Sequence, residues 1–333
     1  MPVVTLQTPG CRATLTSERL RIEAPESAEV LPHPDIPLAD IERLVLGEET
    51  SITSPALREL LRRGVPVSFF DFRNQLLGSF EPSGPAHAAA RLRQYRSTTD
   101  PVFALEISRR LVESKIANGR RFLQRLEANH PRLPANGLSR ALALQEEASR
   151  AASLEELLGI EGAAAAHFYQ LWECFLPAEF PFERRSRRPP HNPVNACLSY
   201  VATLLYGECL SACHATGLDP GLGCLHATKD GRWALPLDLM ETFRPVLVES
   251  LTLRLFAWRV LQNAHFETRD SGVFLNPSGR RSLWEHYEQR LNREFFSEHA
   301  GCRTTLRTRI RQAPLHFKTC LEKPDLFSPF RLN

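Results

Sequence analysis

No uninterrupted apolar run of about eighteen residues, the length a helix needs to cross a bilayer, occurs in this 333-residue chain. Residues 1–10 lack the basic start and apolar stretch of a secretory signal, so the expectation is a cytoplasmic protein with no membrane association. Strong charge of one sign is also missing. A net charge of +3 with a pI near 8.5 is compatible with most partners and says little about nucleic acid by itself. The eight cysteines, at positions 11, 174, 197, 209, 213, 224, 302 and 320, include no CxxC pair. Several fall in apolar helical stretches where a thiol serves as a small hydrophobe, and reduced thiols in a reducing compartment are the simplest account. Neither internal repeats nor low-complexity tracts stand out.

What is present is the composition of a folded chain, 43% hydrophobic and 24% charged, with enough length for two domains. The first eighty or so residues read as short strands at Val3 to Leu6, Ala13 to Thr16, Leu20 to Glu23 and Ile41 to Leu46, with Val65 to Phe72 as a further strand. One helix interrupts them, with Ser54 as its cap, Pro55 in its first turn and Gly64 as its stop. Glu81-Pro82-Ser83-Gly84-Pro85 breaks both periodicities, which places a domain boundary there. The pattern predicts an α+β fold: a small β-rich domain over 1–80, a linker over 81–92 and a larger, mostly α-helical domain over 93–333. Helical spacing runs through Val102 to Leu126, Leu138 to Ala152, Ile160 to Phe175, Val194 to Ala215, Leu239 to Gln262 and Ser282 to Phe296. Ser153-Leu154-Glu155-Glu156 is a capping box, and Asn192-Pro193 caps a helix that ends before Gly217.

Three positions draw chemical interest. Asp238 and Glu241 are three residues apart, which on a helix places their Cβ atoms about 5 to 6 Å from one another, close enough to hold a hard cation. An isolated D-x-x-E is more often a pair of solvated helix charges. His226 follows the glycine-punctuated run Gly221-Leu222-Gly223-Cys224-Leu225, and a loop there can position a ligand or simply carry a hydrogen-bonded histidine. Glu161 lies at the expected start of a helix, flanked by Gly159, Gly162 and a run of alanines, where the helix dipole alone would favour a carboxylate.

Four segments together resemble consecutive blocks of the CRISPR-associated spacer-acquisition integrase family. They are Gly159 to Gly162, Arg185 to Asn195, Gly221 to His226 and Leu237 to Pro245. The resemblance implies an endonuclease and integrase of CRISPR adaptation. Such a protein captures foreign DNA fragments and inserts them at the leader–repeat end of a CRISPR array when a fragment's 3′-hydroxyl attacks a phosphodiester. It further implies Glu161, His226 and Glu241 as metal ligands and catalytic residues, Asp238 as an accessory carboxylate, and Mg²⁺ or Mn²⁺ as the ion. The implied partners are double-stranded DNA, a second copy of the chain and a small CRISPR-associated adaptation protein.

Arg184, Arg185, Arg187 and Arg188 form the densest basic run and, with Asn195 and Arg244, are the candidate DNA contacts. Three other readings stay open, one of them a general metal-dependent nuclease with no preference for branched or repeat-containing DNA. Cys209, Cys213, Cys224 and His226 form a C-x3-C-x10-C-x-H array that thiolate and imidazole chemistry would suit to zinc. A DNA-binding scaffold without catalysis of its own would carry the same domains.

Overall fold

Alternation dictates the clearest strand of the first sheet region: in Arg19–Glu23 the residues Leu20 and Ile22 are buried while Arg19, Arg21 and Glu23 face solvent. The computed structural model describes every residue except 1, 2, 7, 26–34, 72–75, 83–86, 187, 188 and 299. Two compact units result, Met1–Ala86 and His87–Asn333.

In the first unit the strands are β1 (Val3–Leu6), β2 (Arg12–Thr16), β3 (Arg19–Glu23), β4 (Ile36–Pro37), β5 (Arg43–Gly47), β6 (Ser51–Ile52), β7 (Val67–Phe70) and β8 (Leu76–Phe80). They form two four-stranded sheets ordered β1-β5-β7-β8 and β4-β3-β2-β6. β1, β5 and β7 run parallel, and β8 returns antiparallel to β7. Leu44, Val45 and Leu46 are all buried, as a central parallel strand requires. Helix α1 (Ser54–Arg62) packs Ala56 and Leu60 into the same core. Its N-cap is Thr53 rather than the expected Ser54, because Ser54 already adopts helical geometry. The expected strand end at Phe72 lies outside the described residues.

The second unit contains α2 (Ala88–Thr99), α3 (Pro101–Asn129), α4 (Gly137–Arg150), α5 (Leu154–Glu173), α6 (Pro193–Ala215), α7 (Ala234–Met240), α8 (Ser250–Ala257), α9 (Pro277–Asn292) and α10 (Leu306–Thr319). Two antiparallel hairpins interrupt the helices, β9 (Phe266–Arg269) with β10 (Gly272–Leu275), and β11 (Glu294–Ser297) with β12 (Cys302–Thr305). The core is built around α6, whose Val194, Cys197, Leu198, Val201, Leu205 and Cys209 are fully buried. By length and composition α6 could cross a membrane, but 72% of that stretch is buried inside the protein, as in a core helix. Asn192 caps it by accepting from the Asn195 N–H at 2.8 Å. Gly217 ends it at φ +73°, with the His87 ring lying where a Cβ would go.

Several boundaries differ from the periodic reading. Residues 88–92, expected as linker, are the first turns of α2. Helix α5 starts at the Ser153 capping box, so Glu161 sits in mid-helix and not in a first turn; Gly159 and Gly162 are carried through because the nucleus is already formed upstream. The single helix expected over Leu239–Gln262 is broken. After α7 comes a turn at 241–243 and a π-helical segment, Pro245–Glu249, before α8. Pro245 has no N–H to donate, so the ladder cannot continue regularly through it. Helix α9 ends at Asn292, and Phe296 belongs to β11. Leu205→Ala should cost about 2–5 kcal/mol in urea denaturation, through lost burial and the cavity left in the α6 core.

Candidate active site

The site gathers on elements that are far apart in the chain. Helix α3 contributes Lys115 and Asn118, α5 contributes Glu161 and Tyr169, the loop after α6 contributes His226, and α7 with the turn and π segment contributes Asp238, Glu241, Arg244 and Glu249.

At its centre the Lys115 ammonium bridges two carboxylates, donating to Glu161 Oε1 and standing 2.5 Å from Glu241 Oε2. Side-chain exposure is 15% for Lys115, 25% for Glu161 and 8% for Glu241, so the bridge is largely dry but open on the Glu161 side. Arg244 approaches Glu241 Oε1 at 3.5 Å and Glu249 Oε1 at 3.3 Å, and Tyr169 donates to Glu249 Oε1 at 2.9 Å. Burial raises the Glu241 carboxyl, yet Lys115 and Arg244 outweigh it and hold the group at about 2. Burial lowers the Lys115 ammonium, but Glu241 and Glu161 carry it above its usual value. Burial and the Glu249 charge push the Tyr169 hydroxyl up to about 12, so it stays a proton donor.

Asp238 and Glu241 do not share a cation. Asp238 is 1% exposed and faces the other way, accepting from the backbone N–H groups of Cys224 (2.5 Å), Leu225 (2.9 Å) and His226 (2.9 Å) and meeting His226 Nδ1 at 2.7 Å. The loop therefore wraps around a buried carboxylate. A Cβ on residue 223 would stand 2.5 Å from Asp238 Oδ2, which is why Gly223 is needed. With Nδ1 fixed by a carboxylate, the imidazole presents Nε2 as its remaining ligand atom. His226 also lies near enough to Glu241 for its charge to lower that carboxyl.

The donor set of Glu161, Glu241 and a carboxylate-oriented imidazole is one that suits a divalent cation, and the Lys115 ammonium shows the two carboxylates already holding a positive charge between them. Among the described residues, no three His, Cys, Asp or Glu side chains stand close enough together to hold an ion as they are placed. The zinc array does not form either. Cys209, Cys213 and Cys224 are buried thiols in no disulfide, and among the described residues they do not gather with His226 into a metal-holding cluster.

The candidate DNA contacts divide. Arg184 is exposed, and Arg187 and Arg188 lie outside the described residues. Asn195 is 1% exposed and works as a staple: its Oδ1 accepts from Arg185 Nη1 at 2.9 Å and from the Ser186 N–H at 2.9 Å, and its Nδ2 donates to the Arg184 carbonyl. Arg244 is turned inward onto the carboxylates.

Lys115, Asn118, Tyr169 and Glu249 were not singled out by sequence. A signal for the first two exists: Lys115 is one of only four lysines among 41 basic residues, and with Ser114 and Asn118 it puts polar groups on the buried face of α3. Asn118 donates to the carbonyls of Thr242 (2.7 Å) and Phe330 (2.9 Å) and accepts from the Leu332 N–H (2.7 Å), which fixes the turn that carries Glu241.

In overall fold the chain is similar to a CAS1 protein from Thermotoga maritima, with a TM-score of 0.82 at 26% identity over 99% of this chain and 100% of that one. Residues 4–289 match the family described as CRISPR associated protein Cas1, and the chain belongs to that family. A CRISPR-associated endonuclease Cas1 from Thermus thermophilus is 35% identical over 327 residues, covering 97% of each protein. A CRISPR-associated exonuclease Cas4/endonuclease Cas1 fusion from Rhodospirillum rubrum is 40% identical over 300 residues, which is 86% of this chain. The chain spans about half the length of that fusion, 50%.

Two outcomes follow. Asp238→Ala strands three backbone N–H donors and should destabilise the protein by about 3 kcal/mol or more in urea denaturation. Because the folded Glu241 carboxyl titrates near 2, below its ordinary 4.5, its contribution is complete above about pH 4.5 and lost as pH falls toward 2. Thermal melts across that window should fall less steeply for Glu241→Gln than for the wild-type chain.

Proposed function

We propose that this chain is a divalent-metal-dependent DNA endonuclease and integrase of CRISPR adaptation, joining the 3′-hydroxyl of a captured DNA fragment to the leader–repeat end of the array by transesterification. One observation carries the reading: Glu161, on α5, and Glu241, in the turn after α7, meet on one cation, and near Glu241 stands an imidazole whose Nδ1 is held by Asp238.

In this reading Glu161, Glu241 and His226 Nε2 hold Mg²⁺ or Mn²⁺. A divalent ion bound there supplies charge neutralisation at the scissile phosphate and acidifies the attacking hydroxyl. The protein's own part is positioning. Asp238 keeps Nδ1 occupied and the His226 ring fixed, so the imidazole offers its other nitrogen without searching rotamers. Arg244 holds Glu241 and Glu249 in place and favours the ionised form of Glu241. Left to themselves, the four carboxylates Glu161, Asp238, Glu241 and Glu249 against the two cations Lys115 and Arg244 would repel a phosphate backbone, so the site depends on added positive charge to accept DNA. Arg184, with Arg187 and Arg188, supplies the phosphate path, and Arg185 with Asn195 secures that segment to α6.

The proposed assembly is a homodimer that pairs through the β-rich unit, bridged to a second dimer by a small CRISPR-associated partner and acting on double-stranded DNA in the cytoplasm. Strand transfer of a fluorescent DNA fragment into a repeat-bearing plasmid tests the activity. Glu161→Ala or His226→Ala should lower joining by about a hundredfold or more while DNA binding, read by fluorescence anisotropy, stays near wild type. Undiminished joining by either folded variant would assign the chain a scaffolding role instead, and degradation without preference for repeat DNA would make it a general nuclease.

A further inference from the structure

Lys115 is a buried cation on the two carboxylates that the proposed metal ion would need, and the inference below rests on that metal reading. An ammonium bridging Glu161 and Glu241 and a divalent ion bound by the same two groups are competing occupants of one seat. The surroundings offer the lysine another place to go. A cavity of about 150 Å³ is lined by Lys115, Glu161, Arg120, Phe168 and Glu249, so the flexible butyl stem borders open volume. On that wall Glu249 is 3% exposed, and its Oε2 has no hydrogen-bond partner among the described residues. A buried carboxylate oxygen without a donor is costly and calls for one.

We propose that Lys115 is a displaceable internal counter-ion. It rests on Glu161 and Glu241 when no metal is bound, and it leaves them for the cavity and the Glu249 Oε2 side when a divalent cation binds. The lysine thereby keeps the carboxylate pair folded and charge-balanced without metal, and it sets how tightly metal is held. Its role is to position and tune the ligands, and it makes no bond in the reaction.

Calorimetric titration of Mn²⁺ into the full chain tests this with Lys115→Gln, Lys115→Arg and Glu161→Ala beside the wild type, each checked for folding by circular dichroism and thermal melting. Removing the competing charge should tighten Mn²⁺ binding in Lys115→Gln by about tenfold or more. The same variant should melt at a lower temperature than wild type in chelator and gain more from added Mn²⁺. Lys115→Arg keeps the charge, binds carboxylates through a fork and is harder to displace, so it should bind Mn²⁺ more weakly than wild type. A folded Lys115→Gln that binds no tighter, or a Lys115→Arg that binds as well as wild type, would overturn the proposal. Glu161→Ala separates this from the underlying reading. If it loses Mn²⁺ while the Lys115 variants match wild type, only the counter-ion role falls; if no protein in the series binds Mn²⁺, both fall.

Discussion

The organisation of the helical unit turns on one constraint: Glu161 and Glu241 are brought together out of water and must share a positive charge. Two carboxylates in a region this dry repel each other unless a cation lies between them, and the Lys115 ammonium occupies that place. Other features follow from satisfying it. Arg244 answers the remaining oxygen of Glu241 and draws in Glu249, Tyr169 caps Glu249, and Asn118 anchors the turn at Thr242 so that Glu241 faces α3. The π-helical segment beginning at Pro245 gives this stretch a path that a regular helix would not take.

The second half of the site is organised by a different device. Asp238 carries negative charge into the core, where three backbone N–H groups and an imidazole accommodate it. That arrangement converts a loop into a rigid holder for His226. The two carboxylates of Asp238-Leu239-Met240-Glu241 thus have separate tasks: one fixes the His226 imidazole from behind, and the other faces the Lys115 ammonium. The rotamer freedom a loosely held histidine would keep has here been lost on folding.

Membership of the Cas1 family and the geometry of the site point the same way, and each supplies what the other lacks. The family match covers residues 4–289 and says which chain this is akin to. The geometry says how these particular side chains are held, and which of the arginines are committed to structure: Arg244 and, through Asn195, Arg185 are bonded within the protein.

Much of this was legible in the linear chain. The strand alternation of Arg19–Glu23, the Ser153 and Asn192 caps and the Gly217 stop rest on local rules, in which spacing of a few residues decides what a side chain can reach, whereas Glu161, His226, Asp238 and Glu241 were drawn together by family resemblance. The place of Glu161 in mid-helix and the break after Met240 were missed, because periodicity reports which faces are apolar and follows neither a capping box further upstream nor an interruption by proline. Lys115 and Glu249 were missed for a deeper reason. A lysine in mid-helix and a glutamate beside a serine are ordinary surface residues until a partner is known, and their partners lie far along the chain. Sequence alone determined the elements and the chemistry available to them. Only tertiary structure decided which charges meet, because the energy of a buried charge depends on what faces it across the fold and not on its neighbours in the chain.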